Sequence, residues 1–363
     1  MDEAVRSAHA AFPGWWETPA VDRVQVLFRF KSLLESHVDE LVTPVSTEHG
    51  KTLSEACGDV RRGIQMVEYS PSIPSLLMGD SLENVAKGID CDAVRQPLGV
   101  CAGITPFNFP AMVPLWMFPP AIACGNTFVL KPSEKVPLTA VRLTELLAEA
   151  GLPSGVFQLV HGGRKAVDAL LTHPVVQAIP SWGRPRWPKK FSSKAPRMEN
   201  GCGRRAAGGG RRKKFRPPDA GRPGGRSGPR PRRGGFRLCR RTVHVQPGST
   251  PWKEEIFGPV LSILRTDDLD AAIELANRSG YGNGAAIFTR SGHAAREFKH
   301  RIQSGMVGIN IGVPAAMAMF PFSGWNESFF GDLHLQGLEA VAFYTRQKVT
   351  TSRWFGTADV WAG

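Results

Sequence analysis

Sixty-one consecutive residues, Ser181 to Arg241, carry 21 of the chain's 45 lysines and arginines, together with 12 glycines and 8 prolines. Against them stand only two acids, Glu199 and Asp219. A stretch of this composition has little apolar surface to bury and repels itself, so it is expected to be disordered and to add nothing to a core. Folding must come from the flanks, which are net acidic, so the chain's formal charge of +13 belongs to one segment. That charge, with its glycine and arginine richness, admits a nucleic-acid arm as one reading and a solvated linker as another.

Outside the block the composition is that of an ordinary globular protein, long enough at 363 residues for two or three domains. The longest apolar run, Ala111 to Cys124, is interrupted by Pro114, Pro119 and Pro120, so no membrane span is expected. The N-terminus meets acids at once and has no apolar signal core, which points to a cytoplasmic protein. Six cysteines without paired spacing read as reduced thiols, with no metal site.

Helical spacing of Val24, Leu27, Phe28, Leu34, Val38 and Leu41 predicts an amphipathic helix. A second is expected over 52–69, with Asp59, Arg61 and Arg62 on its polar face. From Gln96 onward, strands at 99–104, 126–130 and 156–160 alternate with a helix at 137–150, the signature of an α/β domain with a parallel sheet. Beyond the block, order is expected from about Pro251, with strands at 260–265, 285–289 and 307–310 and helices at 269–276 and 294–302. The tail, 340–354, reads as a strand able to join another subunit's sheet.

The segment Thr105-Pro106-Phe107-Asn108-Phe109-Pro110 follows a strand end, where open α/β sheets place ligands. An asparagine fixed between prolines and aromatics can offer its amide to a developing oxyanion. By itself the pentapeptide Pro106–Pro110 is also a plain turn with a capping Asn. Lys131-Pro132-Ser133-Glu134 follows the next strand, where a lysine can meet ribose hydroxyls or a phosphate. Glu254-Glu255-Ile256-Phe257-Gly258-Pro259-Val260 supplies a carboxylate and an aromatic after the block.

In order and spacing these motifs resemble the aldehyde dehydrogenase superfamily, and within it the CoA-acylating, methylmalonate-semialdehyde branch. Glu48-His49-Gly50-Lys51-Thr52, Gly58-Asp59-Val60-Arg61-Arg62-Gly63 and Phe320-Pro321-Phe322-Ser323-Gly324-Trp325 extend the likeness over most of 1–179 and 249–356. The resemblance implies a Rossmann-like NAD-binding domain over 1–180, with an oligomerisation strand near 86–97. It further implies a truncated catalytic α/β domain over 249–335 and an oligomerisation strand with its tail over 336–363. Asn108 would be the oxyanion-hole amide. Thr105 and Phe107 would give backbone and ring contacts to NAD. Lys131 and Glu134 would hold the adenosine ribose with Lys135 alongside, and Glu255 the nicotinamide ribose with Phe257 packed nearby. Arg62 would receive the substrate's carboxylate, while Arg61 is a solvated helix arginine. The implied reaction is attack of a cysteine thiolate on an aldehyde, hydride transfer to NAD and acyl transfer to CoA. A small-molecule aldehyde and further copies of the chain, as a dimer or tetramer, are the implied partners, and nucleic acid is not. An aldehyde dehydrogenase of different substrate is the nearest alternative.

Two motifs of that family are missing: the pyrophosphate loop Ser-Phe-Val-Gly-Ser and the nucleophile's Gly-Ser-Ala-Gly-Glu-Arg-Cys-Met. Both would fall in or beside 181–248, and both can be recovered from shifted frames. A back-translation of Ile179 to Phe191, read from the third base, gives Ser-Phe-Val-Gly-Ser-Thr-Pro-Val-Ala-Lys-Lys-Ile. One of Arg237 to Val245, read from the second base, gives the nucleophile motif, its Cys codon straddling Val243 and His244. The block therefore reads as GC-rich coding DNA translated out of frame. Cys202 and Cys239 are not the nucleophile, and the chain is expected to be inactive.

Overall fold

The computed structural model describes residues 1–180, 241–258, 260–315, 317–329 and 333–355. The chain divides into two compact units, one comprising Met1–Gly203, Gly282–Phe288 and Ser304–Gly363, the other Arg204–Tyr281 and Thr289–Gln303. The basic block from Ser181 to Arg240 lies outside the described residues.

The first unit begins with helices α1 (Asp2–Glu17), α2 (Ala20–Ser36), α3 (Val38–His49), α4 (Leu53–Tyr69) and α5 (Ile73–Leu76). The single helix expected through Val24 and Leu41 is two, parted at His37. Phe28 is also off the buried face, more than half exposed on α2. Gly50 closes α3 at φ +83°, a left-handed conformation that suits glycine. Thr52 then opens α4 with a capping box: its Oγ1 accepts from Glu55 N–H while Glu55 Oε2 accepts from Thr52 N–H.

Strands β1 (Asp80–Ala86) and β2 (Ile89–Pro97) form an antiparallel ribbon. Next come β3 (Val100–Ile104), α6 (Met112–Ala123), β4 (Thr127–Lys131), α7 (Leu138–Glu149), β5 (Phe157–Leu159), α8 (Arg164–Thr172) and β6 (Val176–Ala178). The four strands β3 to β6 pair in parallel in the order β5-β4-β3-β6. Strand period two sorts their side chains between two cores. Val100, Ala102, Ile104 and Val129 pack with Val5 and Ala8 of α1 and with Val167, Leu170 and Leu171 of α8. Cys101, Phe128 and Leu130 face the larger core built from α2, α3, α4, α6 and α7.

The tail departs from expectation in its first half. Gly337–Tyr344 is a helix, and only Thr345–Arg353 is a strand. Tyr344 is fully buried and its hydroxyl donates to Met117 O at 2.9 Å, a helical docking that the residue composition did not reveal. The tail strand pairs antiparallel with β2 of its own chain, over nine residue pairs from Thr345–Pro97 to Arg353–Ile89, completing a three-stranded sheet.

In the second unit the strand Arg241–His244 runs parallel to Val260–Ile263, ten residues before the point at which order was expected. Helix Leu269–Asn277 is capped by Asp268 and helix Gly292–Arg301 by Ser291. Asn277 ties them together, its Nδ2 donating to Arg301 O at 2.9 Å.

Candidate functional site

The order β5-β4-β3-β6 places a reversal beside β3: the chain adds β4 and β5 on one side and then crosses to lay β6 on the other. Such a reversal, at the carboxyl end of the strand beside it, is the usual ligand position in open α/β sheets. Thr105 to Pro110 leaves β3 at that point, and Ile104 N–H donates to Pro180 O across it. Lys131 to Lys135 leaves the neighbouring β4.

Thr105 is buried and its N–H donates to Lys131 O at 3.2 Å, so the two loops are joined at their roots. That bond commits the Thr105 N–H and leaves its carbonyl for any backbone contact. Lys131 is 3% exposed, its ammonium 3.4 Å from Glu134 Oε2, whereas Glu134 itself is exposed. The backbone N–H of Glu134, and after it Lys131 and Lys135, hold that carboxyl below the usual carboxylate range. A buried cation and an ionised carboxylate side by side can donate to and accept from a vicinal diol. Lys135 Nζ lies 4.8 Å from the centroid of the Phe107 ring, within cation–π reach.

The Asn108 loop is held from the turn between α3 and α4, whose residues carried no assigned role in the sequence. His49 stacks on Phe107 at 6.2 Å between ring centroids. Lys51 Nζ donates to Asn108 O at 2.9 Å and to Asp59 Oδ2 at 2.8 Å, and sits 4.6 Å from the Phe109 ring centroid. Asp59, expected on a polar face, is instead buried between α4 and α6. Its Oδ1 accepts from Met112 N–H at 2.7 Å. Burial raises its carboxyl above the ordinary value despite Lys51. No local pattern in the sequence marks these residues, because their contacts reach across more than fifty positions.

Arg62 lies one turn beyond Asp59 on α4. Its Nη1 donates to Ala315 O at 3.4 Å, and Trp116 Nε1 donates to Arg62 O at 3.2 Å. Met112, Trp116 and Phe322 form an apolar cluster beside it, the last two rings 5.4 Å apart. Thus Thr105, Phe107, Asn108, Lys131, Glu134 and Lys135 gather at the carboxyl ends of β3 and β4. Glu255 and Phe257 belong to the second unit, exposed in the loop between helix Thr250–Lys253 and strand Val260–Ile263.

Four cysteines lie among the described residues. Cys101 and Cys124 are fully buried, and burial pushes both thiols up, Cys124 to about 12. Cys57 is on α4 and Cys91 in the β1–β2 ribbon, neither in the loops just described. Cys202 and Cys239 lie outside the described residues. No group of three or more His, Cys, Asp or Glu able to hold a metal occurs among the described residues. No helix among them is long and apolar enough to cross a membrane.

Residues 1–199 and 224–350 match the profile of the aldehyde dehydrogenase family. Malonate-semialdehyde dehydrogenase 2 of Geobacillus kaustophilus is 41% identical over 441 aligned positions, covering 98% of this chain and 90% of the relative. That alignment is longer than the 363-residue chain, so dozens of positions in the relative have no counterpart here. Among solved structures, methylmalonate-semialdehyde dehydrogenase of Oceanimonas doudoroffii superposes with a TM-score of 0.82 at 34% identity, covering 98% of this chain and 91% of the other. A putative methylmalonate-semialdehyde dehydrogenase of Sinorhizobium meliloti, complexed with NAD, gives 0.85 at 32% identity, with coverage of 98% and 90%.

Proposed function

This chain belongs to the aldehyde dehydrogenase family, and we propose that it descends from an NAD-dependent, CoA-acylating dehydrogenase of malonate or methylmalonate semialdehyde and has lost catalysis. The observation that carries the substrate class is the convergence of two loops and a helix: the Asn108 and Lys131 loops at the carboxyl ends of β3 and β4, and Arg62 on α4 packed against α6. A guanidinium beside Met112, Trp116 and Phe322 suits a short aldehyde whose far end is a carboxylate. The names borne by the relatives support the same choice.

The residues fit one half of NAD. The pairing of buried Lys131 with Glu134 matches the adenosine ribose diol, and Lys135 stands beside it for added positive charge. Bound NAD would serve as the hydride acceptor. The Asn108 side-chain amide would stabilise the tetrahedral oxygen, and Glu255 with Phe257 would take the nicotinamide ribose. CoA would accept the acyl group. The lost group in this reading is the nucleophilic thiolate: the family's nucleophile motif is absent from the sequence, and the four cysteines among the described residues lie outside the Asn108 and Lys131 loops. We attribute that loss to an out-of-frame middle, 181–248, followed by a deletion; the nucleotide sequence over 175–250, translated in three frames, tests this directly. The sheet of β1, β2 and the tail strand would join copies of the chain.

Two measurements decide the reading. The intact chain, its mass verified, forms no NADH from either semialdehyde with NAD and CoA; any sustained NADH formation refutes the loss of catalysis. AMP, which presents the adenosine ribose alone, binds, and Glu134→Gln weakens it about tenfold, the worth of one charge-assisted hydrogen bond. AMP binding untouched by that substitution would remove the ribose assignment.

A further inference from the structure

A buried ion pair lies behind the Asn108 loop, and its geometry does more than join two helices. Helix α6 starts at Met112 with Ala111 as its cap residue, and alanine has no side-chain oxygen to satisfy the first N–H groups. Asp59 supplies that oxygen from α4, taking the Met112 N–H at 2.7 Å with one carboxylate oxygen. Its other oxygen takes Lys51 Nζ at 2.8 Å, and the same ammonium donates to Asn108 O at 2.9 Å. The Asp59 side chain is 0% exposed and that of Lys51 is 8% exposed. One carboxylate and one ammonium thereby grip the loop at Asn108 and at Met112, four residues apart, with Phe109 under the cation.

We propose that Lys51 and Asp59 are positioning residues that set the backbone of the 105–112 loop, and with it the direction in which Asn108 presents its amide. The inference rests on reading Asn108 as the oxyanion donor, but the pair's action on the loop is measured without that chemistry. A buried pair retained only for stability behaves differently from one retained for geometry. Removing one partner strands a charge and destabilises strongly, whereas replacing both with neutral groups of similar volume is often neutral. The Lys51→Met/Asp59→Asn double variant therefore separates the two roles: it removes the stranded charge and keeps an oxygen for Met112 N–H, but it leaves Asn108 O without its donor.

Hydrogen exchange of the full chain, followed by mass spectrometry, reads the loop. Within 105–112 the Thr105 amide is held by Lys131 O and the Met112 amide by Asp59. In Lys51→Met and in the double variant these are expected to exchange about tenfold faster than in the parent, a local opening. Exchange in β4 should stay unchanged in the double variant, whose urea midpoint should return close to the parent's. If loop protection instead recovers together with the midpoint, the pair is a packing feature and the proposal falls. It falls equally if the loop exchanges at the parent's rate in both variants. Loss of the Asn108 assignment itself would leave these rates as expected, so the two ideas fail separately.

Discussion

A histidine ring pressed on a phenylalanine and shielded from water takes up a proton poorly. His49 is held below the usual histidine range, first by burial and then by Lys51, against the smaller opposing pull of Asp59 and Glu55. Its Nδ1 is buried without a hydrogen-bond partner among the described residues, in keeping with a neutral ring. The folded value lies below the unfolded one, so the unfolded chain binds the proton more readily. The stability associated with His49 is intact above about pH 6.5 and is lost as the pH falls through that value toward the folded one. Urea unfolding at about pH 7.5 and about pH 5.5 should show a larger fall in midpoint for the parent than for His49→Gln. Equal falls would mean that His49 is freely protonated in the folded chain. None of this was legible in the sequence, where Glu48-His49-Gly50-Lys51-Thr52 served only as a family likeness. What makes His49, Lys51 and Asp59 matter is a contact across more than fifty residues, and local patterns do not record it.

At the scale of elements, α4 and α6 approach so closely that a side chain cannot fit between them at one point. A Cβ on Gly63 would come within 2.5 Å of Leu115 Cδ1 and 3.1 Å of Leu115 Cβ, and Leu115 is wholly buried. Gly63→Ala should therefore cost about 1–3 kcal/mol, the usual penalty for overfilling a packed core, although alanine favours the helix itself. Urea unfolding measures it, and a neutral or stabilising result would mean the two helices separate easily. The legible elements were the amphipathic helices α4 and α7, the latter closed by Gly151, and the short apolar runs of strands β3 and β4, all within a residue or two of expectation. Helix α6 was hidden for the opposite reason. Every residue from Met112 to Ala123 is buried, so no polar face marks its period, and Pro119 and Pro120 within it read as breaks. The tail misled in a related way, since a run rich in Val, Phe, Tyr and Thr contains a docked helix before its strand.

For the whole molecule, the motifs on either side of the basic block were enough to give the family, because each sits at a strand or helix end that the sequence also marks. The block itself, loud in charge, told less about function than its place between those motifs. Among the described residues, the antiparallel sheet presents an apolar surface open to solvent. In the sheet of β1, β2 and the tail strand, the register sets Leu82 opposite Cys91 and Ala93 opposite Val349. Residues directly opposite each other, and those two apart on a strand, share a face, so all four lie on one side. Leu82 and Val349 are each 63% exposed there. An exposed apolar stripe on a long antiparallel sheet is an association surface or a liability. Self-association of the chain through this face predicts sedimentation as a dimer or larger species. Val349→Lys, which places a charge at the tail-strand end of the stripe, should shift the chain toward monomer while its far-UV circular dichroism stays the same. A parent chain that sediments as a monomer at micromolar concentration, or a Val349→Lys variant that associates as before, would leave the stripe without a partner of its own kind and place any self-association on another surface.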